Sequence, residues 1–255
     1  MKKRTKKIYG LGSPSIEDID TRFKDKSEER GLVVTPLISK KQIKGNTIDI
    51  RLGNEFIITK KTRFDMLDPS IGKEKAEVLI KQYQEKVYVD LGDKLILHPN
   101  QFVLGSTLEH VRLPWDLLAY VVGRSSWGRL GLIIATATVV HPGYSGTITL
   151  ELTNLGDAPI TLYPGSRIAQ LIFHTVNPSK IPPTKSKYDI STGPVFSKIY
   201  EDYEWPAYEY LKGENDALTE IIKSNYINKQ ITREQYEKMM KVLGSNKNQT
   251  ISNKS

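Results

Sequence analysis

The chain has 255 residues, 38% of them hydrophobic, enough to bury a core in one large domain or in one domain with appendages. No apolar run reaches the length of a membrane span, and the basic start MKKRTKK is not followed by the apolar stretch of a secretory signal, so no membrane partner and a cytoplasmic location are expected. The complete absence of cysteine excludes disulfides, thiolate nucleophiles and thiolate-held metals. A net charge of +8 suits nucleic acid or a small polyanion, but five of the basic residues lie in the first seven positions, the pattern of a solvated tail.

After the basic arm, residues 1–14, Ser15 is a candidate N-cap, with Glu17 and Asp18 in the first turn, Ile16, Ile19 and Phe23 on one face, and Gly31 as a stop. Strand patterns follow. Thr47–Leu52 alternates, Gly53-Asn54 is a turn signal and Glu55–Thr59 returns, which reads as a hairpin. Residues 73–85 are a helix candidate or a long excursion. Short strands are expected at Val87–Val89, Lys94–Leu97, Phe102–Thr107, Val111–Leu113, Leu117–Val122, Gly146–Leu152, Pro159–Tyr163 and Arg167–Val176, separated by Gly, Pro and Asn turns. This spacing argues for a β-barrel or sandwich over alternating βαβ units.

Residues 177–198, with four prolines, read as an ordered or closing tail. Helical spacing resumes at Leu218, Ile221 and Ile222, and Ile231–Leu243 carries a capping box from Thr232 to Gln235 and an apolar face of Tyr236, Met239, Met240 and Leu243. A helical hairpin packed on the core or on a neighbouring subunit is expected here, rather than a DNA-reading helix. The end, SNKNQTISNKS, has the composition of a disordered tail.

The chemistry concentrates in Gly123–Glu151, GRSSWGRLGLIIATATVVHPGYSGTITLE. Arg124, Ser125, Ser126 and Arg129 place two guanidinium forks and two hydroxyls within six residues, a set that matches phosphate oxygens. From this segment alone, phosphate binding and an exposed turn with solvated arginines stand level. Alternation in Gly146–Leu152 puts Thr147, Thr149 and Glu151 on the polar face, where Glu151 is either a solvated strand carboxylate or a proton shuttle in a pocket wall. Tyr144 is either turn packing or a flat surface against a sugar. His141 lacks a second ligand at metal spacing, and no protein-held metal is expected.

These motifs resemble those of the dCTP deaminases, the trimeric dUTPase-like family that deaminates dCTP to dUTP. The resemblance runs from about Leu32 to Lys198, roughly two-thirds of the chain, through GNTIDIRLGNEF (45–56), LHPNQFVLGSTLEHVRLP (97–114), GRSSWGRLGL (123–132), HPGYSGTITLELTNLG (141–156), PGSRIAQL (164–171) and KYDISTGPVFS (187–197). It implies a mainly β, dUTPase-like distorted β-barrel, jelly-roll-like in kind, with an N-terminal helix and a C-terminal helical extension. The deaminase domain would span 15–199 and the extension 200–255. It implies a homotrimer with active sites between subunits, and dTTP as a candidate feedback inhibitor.

Carried over by position, Arg124, Ser125, Ser126 and Arg129 match the loop that contacts the triphosphate, with Ser125 and Arg129 also near the reacting base. Glu151 matches the general base and acid, Ala137 the alanine whose carbonyl holds the attacking water, and Tyr144 the aromatic against the deoxyribose. Thr149 and Leu150 belong to the strand lining the base pocket, Gln170 matches a ligand contact, and Lys187 a lysine of the closing segment. Ser191 occupies the position of a tail glutamine. Mg²⁺ would accompany the nucleotide phosphates. Zinc deaminases need cysteines that this chain lacks, so the implied mechanism is zinc-independent.

His141 stands where the family usually has Asp, a carboxylate tied to the base or to hydrolytic water in members that also cleave dUTP. The expected enzyme is therefore a deaminase without that second activity. A dUTPase or bifunctional deaminase–dUTPase is the alternative within the fold. A non-catalytic nucleotide-sensing or nucleic-acid-binding protein is the alternative of another class, although intact Glu151 opposes it and nucleic acid is not the expected partner.

Overall fold

A computed structural model describes residues 12–60, 66–68, 70–135, 139–177, 186–202, 219, 222–223, 225 and 232–241. The basic start, Ala137, Leu218, Ile221, Ile231, Leu243 and the last segment lie outside them. Two units are distinguished, Met1–Thr62 with Tyr83–Phe196, and Arg63–Gln82 with Ser197–Ser255.

The first unit begins with α1 (Ile16–Lys24), in which the Ser15 hydroxyl accepts the Asp18 N–H at 3.1 Å and satisfies one of the free donors of the first turn. Ile19 is fully buried, and buried Arg22 donates to Asp18 at 2.8 Å and to both carboxylate oxygens of Asp116 at 2.6 and 2.9 Å. The helix ends at Lys24 rather than at Gly31. Asp25 stops it by accepting from the Ser27 N–H and hydroxyl, a local turn that competes with helix. Gly31 has a different task, since a Cβ there would lie 2.5 Å from the carbonyls of Asp25 and Ser27.

The strands are β1 (Val33–Thr35), β2 (Ile43–Lys44), β3 (Thr47–Arg51), β4 (Glu55–Thr59), β5 (Gln84–Tyr88), β6 (Leu95–Leu97) and β7 (Phe102–Arg112). They continue as β8 (Leu117–Gly123), β9 (Leu132–Ile134), β10 (Val139–Val140), β11 (Ser145–Asn154), β12 (Ile160–Leu162) and β13 (Arg167–Thr175). Six form one sheet in the order β5-β4-β7-β11-β9, with β1 also on β7. Five form a second, β10-β8-β13-β3-β2, while β12 and β6 pair separately. Inward residues of both large sheets, among them Ile48, Ile50, Phe56, Leu150, Leu152 and Phe173, join one buried cluster. Each such side chain contributes about 1.5–3 kcal/mol by leaving water. The mainly β expectation holds, with the strands arranged as two open sheets over a shared core.

The expected hairpin between Thr47–Leu52 and Glu55–Thr59 does not form. β3 pairs with β2 and β13, whereas β4 pairs with β5 and β7, so the chain crosses between sheets at Gly53-Asn54. The reason is a close approach. The Gly53 N–H donates to the Ser106 carbonyl at 2.7 Å, and a Cβ on Gly53 would sit 2.9 Å from the Ser106 hydroxyl. The two expected strands at Phe102–Thr107 and Val111–Leu113 are one, β7. Its register against β11 shifts between Thr147 and Thr149, and the Thr107 hydroxyl accepts the Ile148 N–H at 3.0 Å.

In the second unit, α2 (Lys73–Tyr83) answers the helix alternative for 73–85 and carries a Lys81–Glu77 pair at 2.7 Å. Lys73 reaches Glu201 at 3.6 Å. Residues 233–241 are helical, and the capping box forms in both directions, Gln235 N–H to Thr232 Oγ1 at 3.2 Å and Thr232 N–H to Gln235 Oε1 at 2.8 Å. No helix among the described residues is long and apolar enough to cross a membrane.

Candidate functional site

Asp49 is the organising side chain. Strand alternation assigns it to the polar face of β3, yet it is fully buried, because four side chains close over its carboxylate. Gln170 Nε2 donates to Oδ1 at 2.7 Å, while Lys44 Nζ at 3.1 Å and one nitrogen each of Arg124 and Arg167 at 3.0 Å donate to Oδ2. Desolvation, the largest influence, raises the Asp49 pKa, but the hydrogen bonds from Gln170 and Lys44 and the charges of Arg124 and Lys44 outweigh it and hold the carboxyl below its ordinary value.

The backbone explains why these groups meet. In the β13–β3 register Gln170 lies directly opposite Asp49, and Gly123, the last residue of β8, pairs with Ala169, so the chain delivers Arg124 beside them. Arg167 and Gln170, three residues apart, would point to opposite faces of a regular strand. The register shift between Arg167 and Ala169 turns both toward Asp49. Behind Asp49, Gln42 Nε2 donates to its carbonyl at 3.0 Å and to Glu109 Oε1 at 3.2 Å, and buried Glu109 also accepts from the Arg51 N–H at 2.8 Å. Desolvation raises the Glu109 pKa despite these bonds.

Arg124 caps α3 (Ser125–Gly128), and its N–H donates to the Ile168 carbonyl at 3.1 Å. The Trp127 indole N–H donates to the Arg167 carbonyl at 2.9 Å, which docks the turn on the start of β13. Ser125, Ser126 and Arg129 are exposed on this turn, Arg129 reaching the Ser125 hydroxyl at 3.4 Å. The expected phosphate loop is therefore an anchored turn that presents hydroxyls and guanidinium outward.

A second group follows β11. Glu151 is half-buried, its carboxylate has no hydrogen bond or ion pair among the described residues, and desolvation raises its pKa. The Thr149 hydroxyl accepts the Val195 N–H at 3.2 Å. Tyr144 packs against the core and donates to the Thr147 carbonyl at 2.7 Å, burial pushing its phenol up. Ser191 donates to the same carbonyl at 2.7 Å, and the Thr147 N–H donates to the Ser191 carbonyl at 2.8 Å, so residues 190–195 run beside β11. Lys187 lies over the Tyr188 ring at 5.3 Å, and His141 is exposed in the turn before Tyr144, whose N–H it accepts at 3.2 Å.

Leu150 lies as the strand alternation implies. Its side chain is fully buried in the core, on the face of β11 opposite Glu151, so only its backbone is available on the Glu151 side. Ala137 falls outside the described residues. Asp49, Lys44 and Arg167 were not singled out in the sequence, although the buried charge in TIDIRL and the arginine of PGSRIAQL were the available signal. Among the described residues no group of three or more His, Asp or Glu side chains is gathered as a metal site.

The profile of the dCTP deaminase-like family matches residues 19–176, more than half of the chain. The chain belongs to this family. The dCTP deaminase, dUMP-forming, of Methanobrevibacter smithii is 42% identical over 191 residues, covering 72% of this chain and 96% of that protein. The dCTP deaminase of Natronomonas pharaonis is 40% identical over 192 residues, covering 73% and 96%. A solved structure, the 2′-deoxycytidine 5′-triphosphate deaminase from Agrobacterium tumefaciens, overlaps 65% of this chain and about half, 48%, of its own, at 21% identity and a TM-score of 0.47.

Proposed function

We propose that the protein hydrolyses the exocyclic amine of dCTP, releasing ammonia and dUTP for thymidylate synthesis. The observation that carries this reading is Glu151. A half-buried carboxylate without a partner among the described residues and with a raised pKa is suited to take a proton from water and return it, which is general base and acid catalysis by one group. Water adds to the amine-bearing ring carbon as its proton passes to Glu151. Glu151 passes that proton to the ring nitrogen, then carries the remaining hydroxyl proton to the amine, which leaves as ammonia as the carbon–nitrogen bond breaks and the carbonyl forms. Ala137 would hold the water through its carbonyl, and Ser125 and Arg129 would face the reacting base.

Arg124, Ser125, Ser126 and Arg129 would bind the triphosphate, with Gln170 beside them. Tyr144 would pack on the deoxyribose, Thr149 and the Leu150 backbone would line the base pocket, and Lys187 and Ser191 would belong to the closing segment. Mg²⁺ would arrive with the phosphates. Asp49, the nearby carboxylate, already has both oxygens engaged by Gln170 and three cations, which fits a metal held by substrate rather than by protein. The Asp49 group and Glu151 stand on different sheets, an arrangement that supports active sites completed between copies in a homotrimer. dTTP, which shares the deoxyribose and triphosphate, is the matching feedback inhibitor, and a cytoplasmic location fits the reaction.

Further hydrolysis to dUMP is the second reading. It is favoured by relatives named as dUMP-forming, including those of Methanobrevibacter smithii, Methanosphaera stadtmanae and Dictyoglomus turgidum, and opposed by His141 in place of a carboxylate. Incubation of purified protein with dCTP and Mg²⁺, with and without a zinc chelator, tests both. Ammonia and dUTP insensitive to chelator and lost in Glu151→Gln support the deaminase. dUMP with pyrophosphate supports the bifunctional reading, and no turnover of dCTP rejects both.

A further inference from the structure

One buried carboxylate is balanced by one cation, yet Asp49 receives three. Lys44, Arg124 and Arg167 meet on the same oxygen, leaving an excess of two positive charges at one point of the surface. No two of the cationic nitrogens are further apart than the sum of their distances to that oxygen, and at such spacing like charges repel. The excess is not hidden. The side chains of Lys44 and Arg167 remain 49% and 44% exposed, whereas Arg124 is less so. Ammonium and guanidinium groups carry more N–H donors than the single bond each makes to Asp49, so donors remain for a further acceptor.

We propose that Lys44 and Arg167 are additional phosphate-binding residues, which Asp49 gathers with Arg124 into one cationic wall for the distal phosphates of the nucleotide. The assignment rests on the reading above in that Arg124 faces the triphosphate. A bound polyphosphate relieves the repulsion among the three cations and takes up the spare donors, while Asp49 keeps the cations from spreading into solvent when the site is empty. Chains with the same turn but without these two cations lose this outer wall. Lys44 and Arg167 therefore set the preference for a triphosphate over shorter phosphates.

The test uses the full-length protein, inorganic tripolyphosphate as a calorimetric probe, and dCTP kinetics for the wild type, Lys44→Met, Arg167→Met and Lys44→Arg. Loss of one charge-assisted contact predicts a roughly tenfold rise in both the tripolyphosphate Kd and the KM for dCTP in each methionine variant, with kcat within about twofold. Lys44→Arg keeps the charge and stays within about threefold of wild type. Kd and KM within about twofold of wild type in both methionine variants overturn the proposal, as does a fall in kcat at unchanged KM. Should Arg167→Met not fold, Lys44→Met decides alone, since its side chain is half-exposed. Loss of tripolyphosphate binding in the variants with no dCTP turnover by any form sinks the deaminase reading and leaves this assignment standing. Turnover with unaltered KM does the reverse.

Discussion

Glu151 is withdrawn from water on one strand face and has no counter-charge among the described residues, so its anion is destabilised in the folded state relative to the unfolded chain. Its folded pKa is raised, which means that the ionised form lowers stability above that pKa and that the effect fades as pH falls toward the ordinary carboxylate range. Glu151→Gln is therefore expected to be more stable than wild type at neutral pH in urea unfolding. That gain shrinks on acidification, while deamination falls by about 10²–10⁴-fold. Asp49 has the opposite sign. Its pKa is depressed, so its contribution is present above the ordinary carboxylate range and is lost as pH falls through the folded pKa. Asp49→Ala leaves three cations without their anion and is expected to cost about 3–5 kcal/mol near neutrality, the difference from wild type narrowing in acid. Period-two alternation was enough to place Glu151 on a polar face. It was not enough for Asp49, whose partners lie 5, 75, 118 and 121 residues away and close over a position that alternation alone marks as solvent-facing.

At the scale of elements, caps and turns were legible because their signals are local. The Ser15 cap and the Thr232–Gln235 capping box form as their spacing implies. The turn at Gly53-Asn54 was legible as a break but not as a passage between sheets, because a Gly-Asn signal fixes backbone freedom and says nothing of the partners on either side. The same holds for β7, where the polar run around Glu109 looks like a gap until Arg51 and Gln42 are seen to receive that carboxylate inside the core. Gly53→Ala tests the passage. A methyl group forced within 2.9 Å of the Ser106 hydroxyl and 3.1 Å of its carbonyl displaces β7 from the crossover. Overpacking of this kind is expected to lower unfolding free energy by about 1–3 kcal/mol, read as a lower denaturant midpoint at unchanged slope.

At the scale of the molecule, the β class was legible from the density of turn signals, and the roles proposed for the site residues came from the motifs that resemble those of dCTP deaminases. Strand pairing was not, since alternation marks the faces of a strand but not its neighbours. The proposed trimer belongs to this scale as well. Sedimentation of the full chain is expected to give a species about three times the 28.9 kDa chain mass. Activity should fall on dilution below the dissociation range if, as proposed, each site draws on more than one copy. A monomer with undiminished turnover would exclude sites completed between subunits.

The convergence of Lys44, Arg124, Arg167 and Gln170 on one carboxylate also bears on how the sequence can change with time. Residues that share a partner do not vary independently, and the effect of replacing one depends on which others are present. Loss of a single cation here removes excess charge and leaves the anion satisfied, whereas loss of Asp49 while the cations remain exposes all of them to one another. Inheritance is thus directional. A lineage can shed Lys44 or Arg167 first and Asp49 last, and the reverse order passes through a poorly folded intermediate. The cluster acts as a historical ratchet on the four positions around it.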